Sequence, residues 1–139
     1  MFMLIRESIM KKQFGFTLIE LIVVIMIIGI LAAIAVPLMR GKIDSSKWTE
    51  ANAGAGMIRT AVKTYFFDSE VAITGNLGDA AVQQALQIQS SDLTGAYFVP
   101  SDYEIDSVNA DGVATVTVTG SQDNAPSGSK TLTADGVWQ

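Results

Sequence analysis

The chain has 139 residues, room for one modest domain rather than two, and 49% of them are apolar. It contains neither cysteine nor histidine, which excludes disulfides, thiolate or imidazole metal sites and any Cys- or His-based catalytic pair. Charge is segregated: residues 40–64 carry five basic against two acidic side chains, a net +3, while residues 65–139 carry ten acidic against Lys130 alone, a net −9. An acidic domain of this kind keeps itself soluble and presents no cationic footprint to nucleic acid.

The first element is apolar. Across residues 16–39 only Thr17, Glu20, Gly29 and Pro37 interrupt the run. As a helix those 24 residues span about 36 Å, enough to cross a bilayer core of roughly 30 Å. A buried core helix is excluded, because the rest of the chain is too small to cover such a helix on all sides. A cleaved secretory signal has support in the basic pair Lys11-Lys12 and the A-x-A-like site Ala33-Ile34-Ala35. Against it stand the length of the run and Glu20, whose carboxylate is costly in lipid and so implies a task. Flanking charge leaves orientation open: Arg6, Lys11 and Lys12 precede the segment, and Arg40, Lys42 and Lys47 follow it.

Helical periodicity continues beyond Pro37. Trp48, Ala51, Ala55, Ile58, Val62 and Tyr65 recur every three or four residues, with Lys47, Glu50, Asn52, Arg59 and Lys63 mostly off that stripe. One helix over residues 16–68 is expected, apolar all round in its first half and amphipathic in its second. Pro37 lacks an N–H and crowds the preceding turn, which predicts a kink or local melting around Gly29 and Pro37. Tyr65-Phe66-Phe67 reads as packing of the helix against a sheet.

Residues 70–94 form a connector, with turn chemistry at 74–78 and a short helix over 79–88 capped by Asp79. Strands follow. Tyr103, Ile105 and, less regularly, Val108 make one, and residues 113–119 alternate cleanly in a second. Asn109-Ala110-Asp111-Gly112 between them is a hairpin turn. After a polar loop over 120–129, residues 130–134 read as a third strand, closing at 135–138. Ser121, Asp123, Asn124 and Ser127 offer oxygens, but their spacing marks an ordinary polar loop rather than a calcium site. With no convergent acid pair, His or Cys, nothing points to an enzyme.

Gly15-Phe16-Thr17-Leu18-Ile19-Glu20, preceded by Lys11-Lys12 and followed by an apolar run with Gly29 and Pro37, resembles the class III signal of type IV pilins and type II secretion pseudopilins. The ending TLTADGVW is similar, more weakly, to the last strand of many pilins. The resemblance implies an α+β pilin fold, a long spine helix over residues 16–68 packed on a small antiparallel sheet of about three strands. It divides the chain into a cytoplasmic leader (1–15), a transmembrane and polymerising half-helix (16–39), an amphipathic half-helix (40–68) and a connector with sheet (69–139). It further implies cleavage between Gly15 and Phe16 and N-methylation of Phe16 by a membrane-embedded prepilin peptidase. Glu20 would pair with the new terminal amine, commonly that of a neighbouring subunit. A glycine suits the cut because its backbone enters a peptidase cleft unobstructed.

The implied partners are copies of the chain in a helical filament, the peptidase/N-methyltransferase, an inner-membrane assembly platform and, before assembly, the membrane itself. No cofactor and no direct nucleic-acid contact are expected. The implied location is the inner membrane, single-pass with the acidic domain outside, then a periplasmic or extracellular filament. A secretion pseudopilin and a membrane-anchored binding module that never polymerises are the alternatives. Met10 would equally serve as the start, giving the short leader MKKQFG. The disulfide that staples the C-terminal region of many major pilins has no counterpart here.

Overall fold

A computed structural model describes residues 15–139; Lys11, Lys12 and the alternative start Met10 lie outside the described residues. The chain divides into two compact units, the first ending at Met39 and the second running from Arg40 to Gln139. Each is described by itself.

In the first unit, residues 15–17 are non-helical and helix α1 (Leu18–Ser69) begins. The Ile- and Val-rich run is a poor helix former in water, but in an apolar medium only internal hydrogen bonding satisfies the backbone. Every residue from Gly15 to Met39 is exposed on the isolated chain, and helical conformation continues through Gly29 and Pro37. Among the described residues one helix is long and apolar enough to cross a membrane.

In the second unit, α1 turns amphipathic as its sequence pattern requires. Trp48, Ala51, Ala55, Ile58 and Val62 are buried, Tyr65 is half-buried, and Gly54 joins the buried face. Gly54 is there for space: a Cβ would stand 2.5 Å from the Tyr103 hydroxyl. The helix face packs with Phe98, Tyr103, Ile105, Val116 and Val118 into one core.

The sheet is an antiparallel meander of four strands, β1 (Gly75–Asn76), β2 (Tyr103–Val108), β3 (Ala114–Thr119) and β4 (Ser129–Leu132). The sequence leads one to expect about three, because Gly75 and Asn76 read as turn. They pair with Ile105 and Glu104, and the turn follows at once, closed by the Asn76 side chain, which accepts from Gly78 N at 2.7 Å. The hairpin between β2 and β3 forms at 109–112 as expected, with Gly112 at φ +74° packed against the Phe66 ring.

The irregular place of Val108 has a cause. The register slips between Ile105 and Ser107, so Asp106 is an extra residue that resets the inward–outward alternation and brings Val108 opposite Ala114. Strand β4 ends at Leu132, two residues earlier than expected. A turn over Thr133–Gly136 sends the chain back to pair Gln139 with Thr131, covering the sheet edge.

The connector holds helix α2 (Ala80–Leu86), capped by Asp79, whose carboxylate accepts from Ala81 N at 2.9 Å. It stops short of residue 88 because Gln87 adopts a left-handed conformation at φ 54°. A further turn of helix, α3 (Ser90–Leu93), is not signalled by periodicity; Asp92 starts it by accepting from Gln89 N.

Candidate processing and assembly site

Three residues precede the first helical turn. Gly15, Phe16 and Thr17 are non-helical and exposed, and nothing lies within 4 Å of where a Gly15 Cβ would stand. Among the described residues the backbone on either side of the Gly15–Phe16 bond makes no hydrogen bond, and both residues are exposed.

Thr17 and Glu20 define where this segment stops. Glu20 N donates to Thr17 Oγ1 at 3.3 Å, and the Glu20 carboxylate accepts from Thr17 N at 2.9 Å and Thr17 Oγ1 at 2.7 Å. This is a reciprocal capping box, two side chains satisfying the orphan amides of a helix start. The T-x-x-E spacing ahead of an apolar run is the sequence signal of such a box. The carboxylate is thereby held at the N-terminal end of α1, where the helix dipole favours negative charge. It reaches the backbone amide one residue after Phe16, close to where cleavage would create a new amine.

Phe16, Ile19, Glu20, Val23 and Val24 line an open groove of about 360 Å³ along one face of the helix start. Apart from Glu20 and the flanking hydroxyl of Thr17, the surface is hydrocarbon. Ile22, Ile25, Met26, Ile30 and Leu31 are all more than 40% exposed on the isolated chain. Such a surface is unstable in water and must be covered by lipid or by other apolar helices. Gly29 and Pro37 lie within this stretch and make no described contact that fixes a role.

The charged residues that the stripe left outside turn out to hold the second unit together. The Glu50 carboxylate accepts backbone N–H groups of Ala96, Tyr97 and Phe98 at 3.1, 3.0 and 3.0 Å. Lys47 Nζ donates to the Asn124 carbonyl at 2.7 Å, and an Arg59 guanidinium nitrogen to the Ala134 carbonyl at 2.8 Å. Of the polar-loop oxygens, Ser121 donates to buried Asp102, and Asn124 donates through its side chain to Ala96 O at 2.9 Å. Two of the four are thus engaged in joining loops.

The segment is of the prepilin type: residues 10–36 match the prokaryotic N-terminal methylation motif. Parts of the chain are similar to three curated proteins. The type IV major fimbrial protein FimA of Dichelobacter nodosus is 47% identical over 60 residues, 43% of this chain and 38% of that protein. Fimbrial protein Q of Moraxella bovis is 46% identical over 72 residues, 52% of this chain and 44% of that protein. The type II secretion system core protein G of Pseudomonas aeruginosa is 36% identical over 85 residues, 61% of this chain and 55% of that protein. The matched stretches thus span about half or less of these relatives' length. Motif, relatives and α+β fold together support a type IV pilin or pseudopilin.

Proposed function

We propose that the chain is a structural subunit of a type IV pilus-like filament. Prepilin peptidase cuts it between Gly15 and Phe16 and N-methylates Phe16, and copies then polymerise through the apolar half of α1. The observation that carries this reading is the conjunction of an exposed scissile segment, a helix capped by Glu20 one turn later, and a wholly apolar helix surface of membrane-spanning length. In lipid the cationic terminus and the anionic Glu20 each carry a large desolvation cost, and pairing them, across copies or within one, offsets both. Before assembly the chain resides in the membrane, single-pass with its acidic unit outside. Gly29 and Pro37 supply the helix with a place to bend during packing.

Mass spectrometry of the protein from its native host tests the processing. An N-methylated Phe16 terminus is expected; an intact leader, or a terminus at Val36 after Ala33-Ile34-Ala35, would sink the proposal in favour of an anchored module or an exported domain. Glu20→Ala should insert normally and fail to assemble. The longest of the reported matches, to a secretion core protein, favours a pseudopilin as the second reading. A deletion strain that keeps its surface filaments but loses protein export would select it.

A further inference from the structure

The second unit leaves most of its charge unpaired. Among the described residues the one ion pair joins Lys47 to Asp44 at 3.8 Å. Among the described residues the ten carboxylates of residues 65–139 therefore have no cationic partner, and Arg59 and Lys63 have no anionic one. A filament brings many such net-negative domains side by side, and their repulsion must be met by something.

Arg59 and Lys63 are placed to meet it. They lie one helical turn apart, with Cβ atoms about 6 Å from each other, and line a crevice of about 260 Å³ with Gly56, Thr60 and Val113. The Arg59 guanidinium is preorganised by its bond to the Ala134 carbonyl, yet its Nε is buried without an acceptor. Lys63 is exposed, its ammonium 5.9 Å from the Phe67 ring centroid. The buried Nε is out of reach of another subunit, but a guanidinium held in place beside an exposed ammonium sets two positive charges at one crevice, which suits a pair of carboxylates.

A matching pair stands on the outer face of the sheet. Glu104 and Asp106 are both exposed and flank Thr117, which lies opposite Glu104 in register and donates to Asp106 at 2.7 Å. Two residues along a strand place them about 6–7 Å apart, the spacing of the cations. We infer that the Arg59–Lys63 crevice of one subunit receives Glu104 and Asp106 of a second copy. The two patches differ, so the contact is heterologous and propagates rather than closing on itself, as a filament requires. This inference rests on the filament reading proposed above.

Filaments from wild-type cells shifted from light to heavy nitrogen during growth, so that light and heavy subunits enter the same filaments, provide the test. Carbodiimide coupling, which links ammonium to carboxylate with no spacer, should yield peptides joining Lys63 to Glu104 or Asp106 with mixed isotopes. Lys63→Glu should lower filament yield about tenfold, the effect of roughly one lost ion pair turned repulsive, and adding Glu104→Lys should restore it. Arg59 is left intact because the C-terminal turn depends on it. Intact filaments without these cross-links, full assembly of Lys63→Glu, or failure of the double variant to recover would each overturn the contact. Absence of filaments from wild-type cells would overturn the filament reading and this contact with it.

Discussion

Removing the Glu50 carboxylate should unfasten the loop that closes the core. Its two oxygens take three successive backbone amides, with Tyr97 and Phe98 sharing Oε1 and Ala96 on Oε2. Gly95 lets the loop come this close, since a Cβ there would strike the carboxylate. In Glu50→Ala the amide of exposed Ala96 regains water, whereas those of half-buried Tyr97 and buried Phe98 do not. Two charge-assisted bonds lost from partly buried donors amount to about 2–4 kcal/mol, within the range for unsatisfied groups. For a unit of this size, that lowers the thermal midpoint by roughly 10–25 °C. Glu50→Gln keeps one oxygen for Tyr97 and Phe98 and turns a donor toward Ala96, so its loss should be about half as large. Trp48 packs against Phe98 with ring centroids 5.3 Å apart and tilted by 40°, so it reports the loop directly. Near-ultraviolet circular dichroism of the full chain in detergent should show the stability order wild type, Gln, Ala. A Glu50→Ala midpoint within about 3 °C of wild type, well under the shift expected for 1 kcal/mol, would refute the reasoning.

The remaining predictions concern the core and the helix start. Burial, with Glu50 and Asp102 nearby, holds the Tyr103 phenol above its ordinary value of 10.0, so the folded state favours the neutral ring. Stability from this group is complete below pH 10.0 and is lost as pH rises beyond it; urea titrations should show that alkaline loss reduced in Tyr103→Phe. Gly54→Ala gains helix propensity but puts a methyl 2.5–2.7 Å from the Tyr103 ring, so a net loss of about 1–2 kcal/mol is expected in the same titrations. Thr17→Ala removes both hydroxyl contributions to the capping box, and the amides of Leu18 to Leu21 should exchange about fivefold faster in micelles. Unchanged exchange there would show that the cap does not hold the first turn.

The legible parts of this chain are those written in local pattern. The stripe from Trp48 to Val62 follows from helical spacing, the 109–112 hairpin from its turn residues, and the Asp79 cap from a single side chain before an apolar run. What periodicity missed depends on partners distant in sequence. Strand β1 has only two residues and exists because β2 offers it an edge. The Asp106 bulge is a mismatch between two strands, visible in neither alone. Lys47, Glu50 and Arg59 read as a solvated helix face because their partners are backbone groups up to 77 residues away, and backbone carries no sequence signature. The prepilin-type motif and the membrane-length apolar helix were legible for the opposite reason: each is written in a run of contiguous residues.

The same three side chains account for how the second unit closes without a disulfide. Each leaves one helix and binds a different loop, and in each case the sign of charge suits the group received. Lys47 and Arg59, as cations, take carbonyls at Asn124 and Ala134; Glu50, as an anion, takes the amides of residues 96–98. Asn124 then bonds onward to Ala96, so the loop held by Lys47 and the loop held by Glu50 hold each other. A covalent staple would constrain the unfolded chain, whereas these bonds act only in the folded one. Their strength therefore depends on the helix being formed first, because only a helix presents residues 47, 50 and 59 at the spacing the loops require. In this unit α1 is a scaffold whose charged side chains fix the loops, while Lys63, which it does not use in that way, stays exposed beside the crevice that Arg59 also lines.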